Sequence, residues 1–330
     1  MKKYQVVGIG NAMVDVLATC DEAFLAANGI DKGIMQLIDM ERAVALYDRI
    51  GPAKEMSGGS AANTIAGIAH LGGRCAYVGK VKDDQLGAIF AHDLRAQGAD
   101  YETARAPRDH EAETGRCIVL VTPDGERSMN TYLGVTEFLS EADIDEAQMR
   151  EAEWIYLEGY RFDGPESHAA FAKAIAAARG AGGRVSLTLS DPFCVERHRE
   201  AFRAMIAEHV DLLFCNRAEL LAMELTKDFG AALEAMAGQV ETLVCTDGPQ
   251  GAHVMHGGQR QHAPARPVKV VDATGAGDLF AGAFLWAICE GHPPQRAARI
   301  GCIAASEVIG HVGARAETDL NALIAEELSI

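Results

Sequence analysis

A chain of 330 residues with 48% hydrophobic side chains can bury a sizeable core, and 30 basic against 47 acidic residues leave a net charge of −17. That field repels nucleic-acid backbones and anionic membranes and leaves small ligands as partners; an anionic ligand would need a local positive site of helix N-termini, a metal and a few Arg or Lys. The eight Cys include no C-x-x-C pair and read as reduced, mostly buried thiols of a cytoplasmic protein, with monomer and homodimer both left open.

In chain order, the first element is a strand over 4–9. The apolar stretch after Met1-Lys2-Lys3 ends at Cys20, but Gly8, Gly10, Asn11 and Asp15 make it too polar for a signal peptide, and no run of about 18 apolar residues follows elsewhere. Residues 11–38 are β-like, with turns at Asn28-Gly29 and Lys32-Gly33. Then come a helix over 60–71, a strand over 74–79 and a helix over 85–97. Within 101–135 the rhythm changes: 114–122, a Pro123-Asp124-Gly125 turn and 127–133 make a hairpin. With 11–38 it can form a small β lid standing off the main sheet. The alternation then resumes with strands over 154–157, 185–189, 211–215 and 241–246 and helices over 166–179, 217–225, 278–290 and 294–309. This order predicts an α/β fold, a mostly parallel sheet flanked by helices on both faces, with ligands at the carboxyl ends of its strands. No linker divides 1–330, so one domain is expected.

The stretch Asp272-Ala273-Thr274-Gly275-Ala276-Gly277-Asp278 opens the apolar helix that follows. Small residues let the backbone approach a ligand, and the free N–H groups of a helix start favour an anion. A helix cap would also explain Asp278, but a cap needs one Asp and no pair of Gly. Beside an anion pocket Asp278 can take a proton from a hydroxyl that attacks a phosphoryl group. Ser57-Gly58-Gly59-Ser60 opens another helix, as a capped turn or a ligand loop; Asn63, a poor helix former in an apolar first turn, reads as a ligand contact. Asn11 and Asp15 follow the first strand, where they can bond ligand hydroxyls, while Met13 stands where a dinucleotide loop needs its third Gly. Asn216-x-x-Glu219 fits a capping box or a Mg²⁺ held through water. Thr246-Asp247-Gly248 fits a hairpin turn or a nucleotide loop. Asp228-Phe229-Gly230 matches a protein-kinase triplet by letters only, without its companion motifs.

The run 272–278 resembles the second signature of the ribokinase-like (PfkB) carbohydrate and nucleoside kinases, and Gly58-Gly59 to Gly72-Gly73 resembles the first. Asn216-x-x-Glu219 and Thr246-x-Gly248 are similar to two further motifs of that family, in its order. The resemblance implies transfer of the γ-phosphoryl group of ATP to an alcohol, with Asp278 as base and Gly275, Ala276 and Gly277 as anion hole. It places Asn11, Asp15, Gly58, Gly59 and Asn63 around the acceptor, Asn216, Thr246, Gly248, Thr274 and Gly277 around ATP, and Glu219 with Asn216 on Mg²⁺. Some members also use a monovalent cation such as K⁺, here near Asp272 and residues 308–313.

Within the family the chain is most similar to the adenosine kinase branch, through Gly8-x-Gly10-Asn11-x-x-x-Asp15, Gly125-Glu126-Arg127-Ser128 and Tyr160. That branch implies the 5′-hydroxyl of a nucleoside, adenosine first, as acceptor. Arg127 would then reach the transferring phosphoryl group, and Tyr160 or Phe162 would stack on a base or simply pack. A sugar kinase acting on ribose or fructose and a non-catalytic nucleoside-binding regulator are the alternatives; a nicotinamide oxidoreductase fits least.

Overall fold

The computed structural model describes residues 1–328. Its elements begin with β1 (Tyr4–Ile9), β2 (Met13–Thr19), α1 (Glu22–Ala27), β3 (Met35–Leu37), α2 (Met40–Tyr47), β4 (Ala53–Gly58) and α3 (Ser60–His70). They continue with β5 (Cys75–Val78), α4 (Gln85–Ala96), β6 (Asp100–Tyr101), β7 (Gly115–Val121), β8 (Arg127–Tyr132), α5 (Glu146–Arg150), β9 (Ala152–Glu158), α6 (Ser167–Gly180) and β10 (Arg184–Thr188). The last are α7 (Pro192–His209), β11 (Leu212–Asn216), α8 (Arg217–Glu224), α9 (Phe229–Ala237), β12 (Thr242–Thr246), β13 (Ala252–His256), β14 (Gln259–Ala263), α10 (Ala276–Cys289), α11 (Pro294–Val308) and α12 (Leu320–Leu328).

A nine-stranded sheet runs in the order β14-β13-β12-β11-β10-β9-β1-β5-β6. It is parallel from β6 to β12, and the hairpin β13–β14 adds an antiparallel edge. Strands such as β1 are buried on both faces, as a helix-covered parallel sheet requires. One face packs under α3, α10 and α11, the other under α6, α7, α8 and α9. The expected fold class is the one observed.

The small sheet has the order β3-β8-β7-β2-β4. Its β2 alternates: Val14, Val16 and Ala18 enter the main core, while Met13 and Leu17 join Cys117, Val119 and Met129 in a separate cluster on the other face. This sheet takes β4 from a segment whose Ala-Lys-Glu-Met-Ser-Gly composition gives little strand signal. Tyr101, at the start of the segment expected with the lid, instead pairs with β5 in the large sheet, as does Asp100. Between 11 and 38 only β2 and β3 are strands, with α1 between them.

The long helix α7 has no counterpart in the expected pattern, because Glu196, Arg197, His198, Arg199 and Glu200 interrupt its apolar spacing; Asp191 caps it and His198 breaks its helical geometry at φ −123°. The Asp228-Phe229-Gly230 triplet is an ordinary helix start, with Asp228 Oδ1 accepting the amide of Ala231 at 3.0 Å.

One helix crossing positions the site. A Cβ on Gly282 would lie 2.5 Å from the carbonyl oxygen of Thr64, and one on Gly67 would lie 2.9 Å from Leu279. Glycine at both contacts lets α3 and α10 cross closely enough for their first turns to share side-chain bonds.

Candidate active site

Where the carboxyl ends of β1 and β9 to β12 meet the small sheet, the fold leaves a cavity of about 510 Å³. Its wall contains Asn11, Asp15, Gly59, Asn63, Arg127, Tyr160, Asn216, Glu219, Thr246, Gly248 and the whole run from Ala273 to Asp278. Residues separated by more than 200 positions thus meet where the sheet topology predicts a ligand.

Helix α10 starts two residues before Asp278. Gly275 is its cap, in the left-handed conformation at φ 73°, and no side chain caps the helix. The Asp278 carboxylate points across the cleft instead, where Ser60 Oγ donates to Oδ1 at 2.7 Å and Asn63 Nδ2 donates to Oδ2 at 2.9 Å. That geometry removes the capping explanation. A Cβ on Gly277 would meet nothing within 4 Å, so packing does not require glycine there. Its backbone faces the cavity among the unpaired amides of a helix start.

On β2, Asp15 is 9% exposed, and among the described residues no protein donor bonds its carboxylate. Burial pushes this carboxyl up to about 7, against the pull of Arg315. A buried polar group aimed into a cavity without a partner is a position for a ligand donor. Asn63 Oδ1 is likewise buried without a partner. Gly58 does not line the cavity: a Cβ there would overlap the Asp15 carboxylate at 2.2 Å, so its role is to leave that carboxylate room. Gly59, at φ 99°, brings its Cα against the carbonyl of Asn11, and Asn11 Oδ1 is already bonded by Arg161 Nη1 at 3.0 Å.

Asp272 is fully buried behind the wall. Its Oδ1 accepts Thr274 N at 2.8 Å and Thr274 Oγ1 at 2.6 Å and pairs with Arg127 Nε at 2.5 Å, while Oδ2 accepts Gly313 N at 2.9 Å. Arg127 Nη1 also bonds Thr274. The small sheet therefore delivers a guanidinium to the turn before α10, and Asp272 has a cationic partner within the chain.

At the other end, Asn216 and Glu219 form a complete capping box, with Glu219 Oε2 accepting Asn216 N at 2.8 Å and Oε1 accepting Asn216 Nδ2 at 2.6 Å. Both residues still line the cavity, so the capping bonds do not turn them away from the space a ligand would fill. Burial raises Glu219 to about 7. Among the described residues no three His, Cys, Asp or Glu side chains cluster to hold a metal alone. A Mg²⁺ here would take most ligands from water and phosphate, which suits its reluctance to dehydrate. Thr246 ends β12 and Gly248 lies in its connection to β13, which is a hairpin turn, and both residues belong to the cavity wall.

Tyr160 follows β9 and its hydroxyl lies 3.4 Å from the carbonyl of Ser190; Phe162 is buried, stacked on Phe202 at 4.1 Å, and is core. Sequence reasoning missed three charged residues. Glu158, at the end of β9, accepts the amides of Asn11 at 3.3 Å and Ala61 at 2.8 Å and is pushed up to about 7 by burial. Arg161 fixes Asn11, and Arg315 lies close enough to Asp15 and Asp278 to act on both. The β-strand end could have flagged Glu158; nothing local marks Arg161 or Arg315.

Residues 30–320 match the pfkB family carbohydrate kinase description. The chain belongs to the pfkB family. Family membership makes this kinase an ATP-dependent carbohydrate or nucleoside kinase that uses Mg²⁺. It is similar to the solved structure of a probable sugar kinase from Rhizobium etli CFN 42, 42% identical over 100% of this chain and 99% of that one, with a TM-score of 0.94. It is also similar to an adenosine kinase from Sinorhizobium meliloti, 44% identical over 99% and 100% of the two chains, with a TM-score of 0.92. A fructokinase from Klebsiella pneumoniae is 28% identical over 84% of this chain and 92% of that protein. Among the described residues of the kinase no helix is long and apolar enough to cross a membrane, and all eight cysteines are free.

Proposed function

We propose that this kinase transfers the γ-phosphoryl group of Mg²⁺-ATP to the 5′-hydroxyl of a nucleoside, adenosine first, in the cytoplasm. The observation that carries the nucleoside is the wall beside Asp15. The small sheet presents Met13, Met35, Leu37, Cys117 and Met129 to the cavity, with Leu133 just after β8 and Thr131 as its hydroxyl. A free sugar carries hydroxyls around its ring and would leave several unbonded on such a surface. A nucleoside offers ribose hydroxyls to Asp15 and Asn63 and a flat base to the thioethers and Leu side chains. The likeness to an adenosine kinase supports this reading, and that to a probable sugar kinase makes the acceptor the point to test.

In this reading Asp278 takes the hydroxyl proton, and the start of α10 with Gly275, Ala276 and Gly277 stabilises the transferring phosphoryl group. Arg127 supplies further positive charge from the small sheet, which acts as a lid on one kinase domain. Mg²⁺ neutralises triphosphate charge when bound, with Glu219 and Asn216 orienting its water ligands. Thr246, Gly248 and Thr274 line the nucleotide site. Because Arg127 already fills the cationic place beside Asp272, turnover should not depend on K⁺. Equal rates in potassium and tetramethylammonium buffers would agree with this.

Adenosine, inosine, ribose and fructose should be compared by ADP release under Mg²⁺-ATP. Adenosine is expected to give the highest kcat/KM; a preference for either free sugar defeats the nucleoside assignment, and tight adenosine binding without ADP release would favour a regulator. Asp15→Asn should raise the acceptor KM by about 10- to 100-fold, the worth of hydrogen bonds to a charged group, with a smaller change in kcat. An unchanged KM would remove Asp15 from the acceptor site.

A further inference from the structure

Arg315 takes no part in the chemistry above, yet with the two residues before it, it joins three separate parts of the site. Its Nη1 donates to the carbonyl of Ala62 at 2.9 Å, and Nη2 donates to the carbonyl and the hydroxyl of Ser57 at 2.8 Å each. Ser57 is anchored in turn, its amide and hydroxyl both donating to Asp93 Oδ2, at 2.9 and 2.5 Å. The two preceding residues hold the opposite side of the cleft. Gly313 N bonds Asp272, and Ala314 packs so closely on Gly275 that a Cβ there would stand 2.7 Å from the Ala314 Cβ.

We propose that Gly313-Ala314-Arg315 is a strap and that Arg315 is a positioning residue for phosphoryl transfer, locking the end of β4 and the first turn of α3 against the start of α10. Ser60 and Asn63, on the α3 turn it holds, are the two side chains that orient the Asp278 carboxylate. The inference rests on the kinase reading above. Arginine is the residue type the geometry requires: its rigid fork reaches carbonyls on two elements at once, which a lysine ammonium on a flexible stem does not reproduce.

Charge gives the strap a second effect. Burial raises the Asp278 carboxyl, and Arg315 opposes that rise, as do the bonds from Ser60 and Asn63. The other titratable groups acting around Asp278 are Asp15 from β2, Tyr156 and Glu158 from β9, Tyr160 after it and Glu219 from α8, with Arg127 from β8 acting on Asp15. Most are acidic, so losing the Arg315 charge shifts the balance one way. The Asp278 carboxyl rises further, less of it is ionised at a given acid pH, and the acid limb of activity moves to higher pH.

Arg315→Met and Arg315→Lys should be measured in the full chain with whichever acceptor the unaltered kinase turns over fastest. The Met variant is expected to lose about 10²-fold in kcat, the size of a small misplacement of reacting groups, with less than about threefold change in acceptor KM. Its acid limb should move to higher pH. The Lys variant should return the limb toward its original position without restoring kcat, because it replaces charge but not the fork. Amide hydrogen exchange over 57–64 and 275–279 should rise in both. Unchanged kcat and pH limb in the Met variant, or a kcat loss that only tracks the folded fraction on melting, overturns the proposal. Should the Met variant not fold, the Lys variant decides: normal kcat with normal exchange in both segments is equally fatal. If the unaltered protein phosphorylates no acceptor, the kinase reading fails by itself, and exchange in the variants still decides on the strap.

Discussion

Asp278→Asn is expected to lower kcat by about 10²–10⁴-fold while leaving ATP affinity and acceptor KM nearly unchanged. The carboxylate is held by Ser60 and Asn63 with no cationic group bonded to it, an arrangement that orients a base without quenching it. Asparagine keeps the shape and one acceptor oxygen, so the cleft stays assembled, but it cannot take the hydroxyl proton. Stability separates this from damage to the fold. Because burial holds the Asp278 carboxyl above its ordinary value, ionised Asp278 opposes folding once pH exceeds that of a free carboxyl. The neutral variant should therefore melt at the same temperature as the parent or higher at pH 8, a pattern common where function needs a buried charge. Steady-state ADP release, calorimetric titration with ATP and thermal melting provide the readouts. Turnover near that of the parent would falsify the base assignment.

Gly277→Ala should lose about 10²-fold in kcat/KM, the scale of one disrupted anion-hole donor, without losing stability. Nothing in the protein lies within 4 Å of the added methyl, so the only volume it takes is in the cavity, where phosphate is expected. Alanine in a helix is favoured over glycine by up to about 1 kcal/mol, so melting should stay level or rise. Gly275→Ala makes the contrast. There φ is 73° and the methyl would meet Ala314 at 2.7 Å, so stability and activity should fall together. If Gly277→Ala keeps the parent kcat/KM, phosphate does not approach α10 at that point and the anion hole must be sought elsewhere.

The two substitutions bear on the same physical problem, which is anion handling in a chain of net charge −17. The cavity gathers Asp15, Glu158, Glu219 and Asp278, all raised by burial, and balances them with Arg127, Arg161, Arg315 and the helix start. A carboxyl raised by burial carries less of its charge at a given pH than a free one, so this lining opposes an entering anion less than four ordinary carboxylates would. Under the proposed function, a Mg²⁺ would find Glu219 oxygens already oriented by Asn216.

Local periodicity was enough to place β1, α3, α4, α8, α10 and α11 within a few residues, because alternating or 3.6-residue apolar spacing reflects burial of one face. The glycine-rich run before α10 was legible for a similar reason: only small residues permit a left-handed cap and an open backbone at Gly275 and Gly277. Family motifs in the sequence then supplied the type of reaction. Other features depended on contacts that no local propensity encodes. Strand β4 forms because β2 needs a partner, despite its Ala-Lys-Glu composition. Phe162 went to the core and Tyr160 to the cavity, although both follow the same strand. Above all, Asp278 receives its bonds from residues 218 and 215 positions away, and Arg315 reaches Ser57 across 258. Sequence determined which residues had the chemistry, since side-chain type and backbone freedom are local properties. Only the tertiary structure decided which of them face one another, because that follows from how closely α3 and α10 can cross and where the small sheet lies over their first turns.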